Sequence, residues 1–476
     1  MNAPQKCQFF LTQKNRTCKF DVVPGKNYCG NHLPQAEGSR PRIRCPWDPA
    51  GAHEIYADEV EKHRLKCPAY LQIQAQRAAP YYQLDINAGA ALDVEPIPGA
   101  CLPGHSMAER RAAYAATLGP DGLDDLIERV CQAAERLPPL PPVDALNQAA
   151  AAPPAPAPGV TTPPYSAKHA AQQASIVGHL ERHGLLRCVA DDVIVELGAG
   201  RGYLGAAVAG HCASLTCLVL VDCRGFKLKA DRALRHLDLH RLRCDLKDFS
   251  LAGCPGLDRP GPSGGAPPRS WVGVAKHLCG AASDFALRAA VEQAPRRCRG
   301  LGLATCCHHR CSWRAYVGKE WFAERGFAPA EFELVSWMSG WALCGHEAPA
   351  GAGCEEGDED GATGPSAGTE PGASDQAGAA APPFPGISPP GAKRKAAGAG
   401  RPTSKQSSTH WQPHHHIPRS ARIAVGQHCK ALIDAGRLAY LTGRGGMEGV
   451  LVAYISPEVS GENKLLLGLR GRDPAL

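Results

Sequence analysis

The twelve residues Val193-Ile-Val-Glu-Leu-Gly-Ala-Gly-Arg-Gly-Tyr-Leu204 constrain this chain more than any other stretch. A short apolar run reads as a buried strand, and glycines at alternate positions (Gly198, Gly200, Gly202) follow it directly, ahead of the helical pattern Gly205–Ala209. Alternating glycines belong to neither helix nor strand. They mark a turn whose backbone must take unusual angles or let another group come close. A strand that turns in this way into a helix aims backbone N–H groups at the crevice where open α/β sheets bind ligands. The dinucleotide fingerprint needs its third glycine at position 203, where this chain has Tyr203. With no evident hydride-transfer constellation besides, an NAD-dependent oxidoreductase is disfavoured.

The sequence around the turn continues the α/β pattern. Leu218–Val221 reads as a second strand ending in Asp222, the place where such folds set a carboxylate on ribose hydroxyls. Arg243-Cys244-Asp245-Leu246 closes a third strand-like pattern. Trp271–Ala275 runs into Lys276-His277-Leu278-Cys279-Gly280, and Leu301–Ala304 into Thr305-Cys306-Cys307-His308-His309-Arg310-Cys311. Farther on, Ala421–Ala435 reads as a helix, and Gly449–Ile455 and Lys464–Leu467 as paired strands. The expected class is α/β.

The chain has 476 residues, with 52 Gly, 42 Pro and 21 Cys, and a net charge of +6 that suits a nucleic-acid partner without requiring one. Residues 138–163 are Pro/Ala-rich and read as a linker. Residues 345–416 carry an acidic Gly-rich run (355–360) and a basic Lys393-Arg394-Lys395, a composition that reads as a disordered insertion. Between Ser106 and Arg136 one or two amphipathic helices are expected, with Ser106 and Asp121 as N-caps and Leu123, Leu126, Ile127 and Val130 on one face. Residues 71–137 thus form a helical connecting region. No signal peptide and no membrane-spanning run is read, so an intracellular protein of nucleus or cytoplasm is expected. Its cysteines are then expected as metal ligands or reduced buried thiols rather than disulfides.

Two Cys/His clusters occupy the first 70 residues, which have no apolar core of their own. Cys7, Cys18, Cys29 and His32 are spaced C-x10-C-x10-C-x2-H, and Cys45, His53, His63 and Cys67 form a second set in which His63 and Cys67 are four apart on the helix expected over Ala57–Lys66. Thiolates with imidazoles suit tetrahedral zinc, which would hold such segments together in place of a core. The modules are read as residues 1–35 (CCCH) and 42–70 (CHHC). Basic residues flank both (Lys14, Arg16, Lys19, Arg40, Arg42, Arg44, Lys62, Arg64, Lys66) and are candidate phosphate contacts.

The form Glu196-x-Gly-x-Gly-x-Gly resembles motif I of class I S-adenosylmethionine (SAM)-dependent methyltransferases. The whole chain resembles a narrower family, the eukaryotic tRNA:m4X modification enzymes, which methylate the ribose 2′-oxygen of nucleotide 4 in the tRNA acceptor stem. The resemblance is carried by the two zinc modules, Pro80-Tyr81-Tyr82 with Ile86-Asn87, and Lys168-His169 with Gln172-Gln173-Ala174-Ser175. It continues through the Glu196–Gly202 turn, Lys276-His277-Leu278-Cys279-Gly280 and Cys306-Cys307-His308-His309-Arg310-Cys311. It leaves out 138–163, roughly 255–270 and 345–416.

The resemblance implies a Rossmann-like class I methyltransferase domain over residues 164–476, interrupted by the insertion. It also implies SAM and zinc as cofactors and the tRNA acceptor stem as partner; no membrane or protein partner is inferred. Glu196, Gly198, Gly200, Gly202, Asp222 and Asp245 are the expected cofactor-binding residues. Lys276 is the leading candidate for the base that takes the 2′ proton, with His277 and His308 as alternatives; the competing role for Lys276 is a phosphate contact. Cys279, Cys306 and Cys307 read as small buried residues or as a nucleophile, and Cys307, His309 and Cys311 as a third metal set. Lys168 and His169 are read as a lid or RNA-facing segment, Arg437 and Tyr440 as RNA contacts. The opposing reading is a zinc-finger RNA-binding adaptor with a non-catalytic core.

Overall fold

The computed structural model describes residues 5–11, 15–33, 41–48, 51, 53–92, 95–97, 106–146, 167–226, 230–264, 269–293, 297–345 and 416–471. The expected linker beyond residue 146, nearly all of the expected insertion, Lys393-Arg394-Lys395, Lys14 and Arg40 lie outside them.

Two small hairpins come first, β1 (Phe10–Leu11) with β2 (Arg16–Thr17), and β3 (Arg42–Arg44) with β4 (Glu54–Tyr56). The central sheet is built from β5 (Val193–Leu197), β6 (Cys217–Asp222), β7 (Asp238–Arg243), β8 (Trp271–Cys279), β9 (Cys298–Cys306), β10 (Glu448–Ala453) and β11 (Lys464–Leu469). Its order is β10-β11-β9-β8-β5-β6-β7. The pairs β5–β6, β5–β8, β6–β7 and β8–β9 are parallel, while β11 runs antiparallel to both β9 and β10. One reversed strand thus sits among six that share a direction.

β5 is buried throughout and β6 in all but its last residue, as expected for continuous apolar runs covered on both faces. Successive side chains feed opposite cores: Val193, Val195 and Leu197 pack with Val219, Trp271 and Leu301, whereas Ile194 packs with Leu218, Val272 and Leu180. A third core gathers Tyr316, Phe322 and Phe332 with Leu123, Leu126 and Val130, the face read from the helical periodicity. That helix spans Met107–Glu135; Ser106 caps it as expected, accepting from Glu109 N while Glu109 accepts from Ser106 N at 2.7 Å. Its second cap differs from the reading. The break falls at Gly119 (φ 70°, ψ 175°), and Pro120 opens the second segment in place of a cap at Asp121.

The segment Tyr81–Asn87 fastens the N-terminal region to the sheet. Buried Asn87 donates from Nδ2 to Leu246 O (2.7 Å) and Phe249 O (2.8 Å), while its Oδ1 accepts from Gln293 at 2.6 Å. One expectation about cysteine is corrected. Cys188 is joined to Cys212 by a disulfide, whose partners lie close because the segment before β5 folds back over the end of the helix Tyr203–His211. Cys254, in the turns that follow Phe249, is a free thiol wholly buried in the core, in line with the expectation of reduced buried thiols. Among the described residues no helix is long and apolar enough to cross a membrane.

Removing the Asn87 amide takes the short donor from buried Leu246 O, one of two donors from Phe249 O, and one of two acceptors from the Gln293 amide. Asn87→Ala should therefore lower the free energy of unfolding by about 1–3 kcal/mol, read as a shifted urea midpoint with an unchanged slope.

Candidate active site and metal-ligand clusters

The first cluster closes as a set. His32 Nδ1 lies 3.5 Å from Cys7 Sγ and 3.3 Å from Cys29 Sγ, and Cys18 Sγ lies 4.0 Å from Cys29 Sγ. The Phe9 ring stacks on His32 at 4.2 Å. All four residues are buried, although the segment has little else to bury. In the second set Cys45 Sγ is 3.5 Å from both His63 Nε2 and Cys67 Sγ, and His53 Nε2 is 3.0 Å from His63 Nε2. Asp48 faces His53 Nδ1 at 2.9 Å, which leaves Nε2 for the cluster, as carboxylates behind metal-ligating histidines do. Four ligand atoms converge in each cluster, and both donor sets fit zinc. The helix expected over Ala57–Lys66 is a 3-10 turn (Ala57–Glu59) followed by Val60–Arg64.

The glycine turn leaves β5 at the middle of the sheet. Gly198, Gly200 and Gly202 all have positive φ (68°, 51° and 78°), which accounts for glycine at each alternate position. A Cβ on Gly198 would lie 2.9 Å from Leu278 Cδ1 and 3.7 Å from His277 O, so the turn rests against the end of β8. A Cβ on Gly200 would meet nothing within 4 Å; that side of the turn is open. Asp222 braces the loop, accepting from Gly200 N and Arg224 N, each at 2.8 Å, and Arg241 donates to Gly200 O at 2.8 Å. Glu196 lies beneath the turn, accepting from Gly205 N at 2.8 Å. Burial pushes its carboxyl up to about 8. Asp245 caps the short turn Leu246–Asp248 at the end of β7.

The register of β8 against β9 slips between Ala275 and Leu278, a bulge that re-aims Lys276 and His277. Lys276 Nζ sits 2.8 Å from His169 Nδ1 on the helix Ala167–Arg182, and the His169 and His277 rings meet edge to face at 6.1 Å. Lys276, His277 and His169 therefore form one group beside the glycine turn.

His308 is elsewhere. It is buried, with Nε2 held 2.9 Å from Asp434 Oδ1. Thr305 donates to Asp434 at 2.8 Å, and Arg437 reaches Asp434 at 3.2 Å. Burial alone would raise the Asp434 carboxyl, but His308 and Arg437 hold it down at about 2. Arg437 also grips Asp284 through Nη2 (2.7 Å) and Nε (3.2 Å), and donates to Gly280 O at 2.9 Å and Cys311 Sγ at 3.2 Å. Its side chain is wholly buried, so its expected contact with RNA is ruled out. It lies inside the helix Arg419–Gly443, which continues past the expected end at Ala435, and its guanidinium is an internal tie. Tyr440 is half-buried, and its hydroxyl donates to Glu292.

Arg111 comes from the N-terminal helical region. It pairs with Glu333 and donates to His309 O (2.7 Å) and Cys311 O, fixing the loop that follows β9. The sequence reading singled out neither Arg111 nor Asp434. A charged residue inside an apolar helical face was the available signal.

At that loop the expected set Cys307, His309 and Cys311 does not assemble. The Cys311 sulfur faces inward to Arg437, and the thiols that come together are Cys279, Cys306 and Cys307. Hydrogen bonds from Cys306 and Cys307 lower the Cys279 thiol, while Cys306 is pushed up.

Fold and site together define an α/β protein with a glycine turn open on one side at the end of a parallel strand and with N-terminal Cys/His clusters. The family Methyltransferase TRM13 matches residues 171–469, and the CCCH zinc finger in TRM13 protein matches residues 5–33. The chain is similar to the mouse tRNA:m(4)X modification enzyme TRM13 homolog, 32% identical over 71% of this chain and 74% of that protein. Its human counterpart is 29% identical over 98% of this chain and 95% of its own length, and the TRM13 enzyme of Yarrowia lipolytica 26% over 97% and 89%. No solved structure matches. The chain belongs to the TRM13 methyltransferase family.

Replacing Arg437 removes the guanidinium that pairs buried Asp284 and leaves Asp434 with His308 and Thr305 alone. Arg437→Met should cost about 3–5 kcal/mol of stability in urea unfolding, and Arg437→Lys should recover only part of it, since a single ammonium cannot bridge both carboxylates.

Proposed function

We propose that the chain is a SAM-dependent tRNA methyltransferase that modifies the ribose 2′-oxygen of nucleotide 4 in the acceptor stem. The observation that carries this reading is the abutment of the open glycine turn on the end of β8, where the Lys276–His169 pair is formed, which would set a cofactor cradle beside a basic group. The lone reversed β11 between β9 and β10 supports a class I methyltransferase domain, read over residues 164–476. The names of the relatives, tRNA:m(4)X modification enzymes, support the substrate and the position. The remaining divisions are residues 1–35 and 42–70 as zinc modules, 71–137 as helical connection and 138–163 as linker.

The open side of Gly200 and the carboxylate at the end of β6 fit a nucleoside-bearing cofactor. Gly198, Gly200 and Gly202 would admit it against the backbone, with Asp222 at the ribose and Asp245 toward the base. Glu196 would serve from beneath, by holding the first turn of the helix Tyr203–His211. SAM supplies a methyl group already activated by its sulfonium charge. The chain's own work is then to align the 2′-oxygen and to receive its proton. The nitrogens of Lys276 and His169 stand 2.8 Å apart, within one hydrogen bond, and make this pair the candidate acceptor of the 2′ proton. His277 stands next in line. His308, tied to Asp434, positions the turn after β9. Arg16, Lys19, Arg42, Arg44, Lys62, Arg64 and Lys66 ring the zinc modules and would hold the stem through its phosphates, since A-form RNA hides its base edges.

The test is mapping of methyl groups on tRNA incubated with zinc-loaded protein and SAM, with SAM binding followed by calorimetry. Ribose methylation at nucleotide 4 is expected. A methyl group on a base would refute the ribose assignment, and no SAM binding would leave the adaptor reading. Lys276→Ala should keep SAM affinity and lose about 10²–10⁴-fold in single-turnover rate at saturating tRNA; an unchanged rate would reduce Lys276 to a phosphate contact. Cys18→Ser should weaken tRNA binding while SAM affinity stays, and unchanged tRNA affinity would make that module a folding staple.

A further inference from the structure

Cys279 ends β8 and Cys306 ends β9, and the two are register partners on adjacent parallel strands. Their sulfurs are 3.5 Å apart. Cys307 follows Cys306 directly, and in a continuing strand its side chain would point to the other face of the sheet. It does not, because its backbone turns left-handed (φ 48°), a conformation uncommon outside glycine. The turn swings the third sulfur back, so that all three lie within 4.8 Å of one another. A strained residue that serves to converge three thiols calls for a purpose beyond packing.

The two N-terminal clusters supply a scale within the same molecule. Their sulfur pairs stand 4.0 Å (Cys18–Cys29) and 3.5 Å (Cys45–Cys67) apart. Zinc–sulfur bonds of about 2.3 Å in a regular tetrahedron place sulfurs about 3.8 Å apart. The Cys279–Cys306 spacing matches that of the second finger. No histidine or carboxylate joins the trio among the described residues, and Cys279 and Cys307 are partly buried where Cys306 is buried. Three protein ligands with one reachable face describe an open tetrahedral site.

We propose that Cys279, Cys306 and Cys307 bind a third zinc ion through three thiolates, with the fourth position left to water or an incoming ligand. Binding releases to solvent the protons that the three thiols still carry and changes no oxidation state. The ion would lock the carboxyl ends of β8 and β9 together, next to Lys276 and the glycine turn. The inference does not depend on methyl transfer.

Zinc per chain, measured on the full-length protein purified without chelator, tests it. Three ions are expected in the wild type and two in Cys279→Ser or Cys306→Ser. A chain carrying both Cys18→Ser and Cys45→Ser, in which the trio is intact, should retain one, and its cobalt form should show the visible absorption of a sulfur-rich tetrahedral site. That double variant keeps the question answerable if the buried Cys306→Ser fails to fold. Two ions in the wild type with none in the double finger variant would overturn the proposal. So would an intact mass showing a Cys279–Cys306 disulfide in place of the metal.

Discussion

One guanidinium ties this fold together. Arg437 lies on the helix Arg419–Gly443 without solvent exposure, and its planar fork meets Asp284 in two hydrogen bonds while a third nitrogen reaches Asp434. Burying three charges is costly unless each is paired, and here each is. The consequence is geometric. Asp284 opens the helix after β8, Asp434 receives Thr305 and His308 from the end of β9, and Arg437 itself donates to Gly280 O. The two strand ends that carry the candidate chemistry are thereby referred to one point. Arg111 and Glu333 repeat the device on the other side of the β9 loop.

The glycine turn depends on a second, smaller set of ties. Positive φ at Gly198, Gly200 and Gly202 leaves three of the loop's positions with no side chain to hold it. Its shape comes from neighbours: Asp222 takes the N–H of Gly200, Arg241 donates to its carbonyl, and Glu196 secures the helix behind. The acids therefore act on the protein before they act on any ligand. Asp222 retains free lone pairs after its two backbone bonds, and so can do both.

Much of the sheet was legible in the sequence because its strands are continuous apolar runs with no competing helical period. β5, β6, β8, β9, β10 and β11 all fall where those runs are. The short spacings of the fingers were legible for the same reason, since ligands 3 to 11 residues apart meet locally. What escaped the reading is non-local. Arg437 and Asp284 are 153 positions apart, and no pattern around either names the other. Cys279 and Cys306 were seen as members of two clusters, yet their pairing follows from strand order. That order placed β8 beside β9 and turned Cys311, expected at the same ion as Cys307, inward to Arg437. The Asn87 latch escaped likewise, its carbonyl partners lying on the far side of the sequence.

The long excursion between residues 345 and 416 is compatible with this organisation because the chain leaves and returns at one place. The turn Gly340–Gly345 packs on the helix Arg419–Gly443 so closely that a Cβ on Gly426 would stand 2.3 Å from Ala342 N. The His416 ring then meets Asp124 at 3.0 Å, where the helix begins. Closure entropy grows only with the logarithm of loop length, about 0.6 kcal/mol per doubling, so length inserted there scarcely loads the fold. The same length inserted between β8 and Asp284, or between His308 and Cys311, would separate groups that must meet within one hydrogen bond. The insertion does fall in sequence between the groups that the Arg437 tie joins, but the Gly340–Gly345 turn is already packed on the helix Arg419–Gly443 that carries Arg437 and Asp434, so the tie is not spread by the length between them.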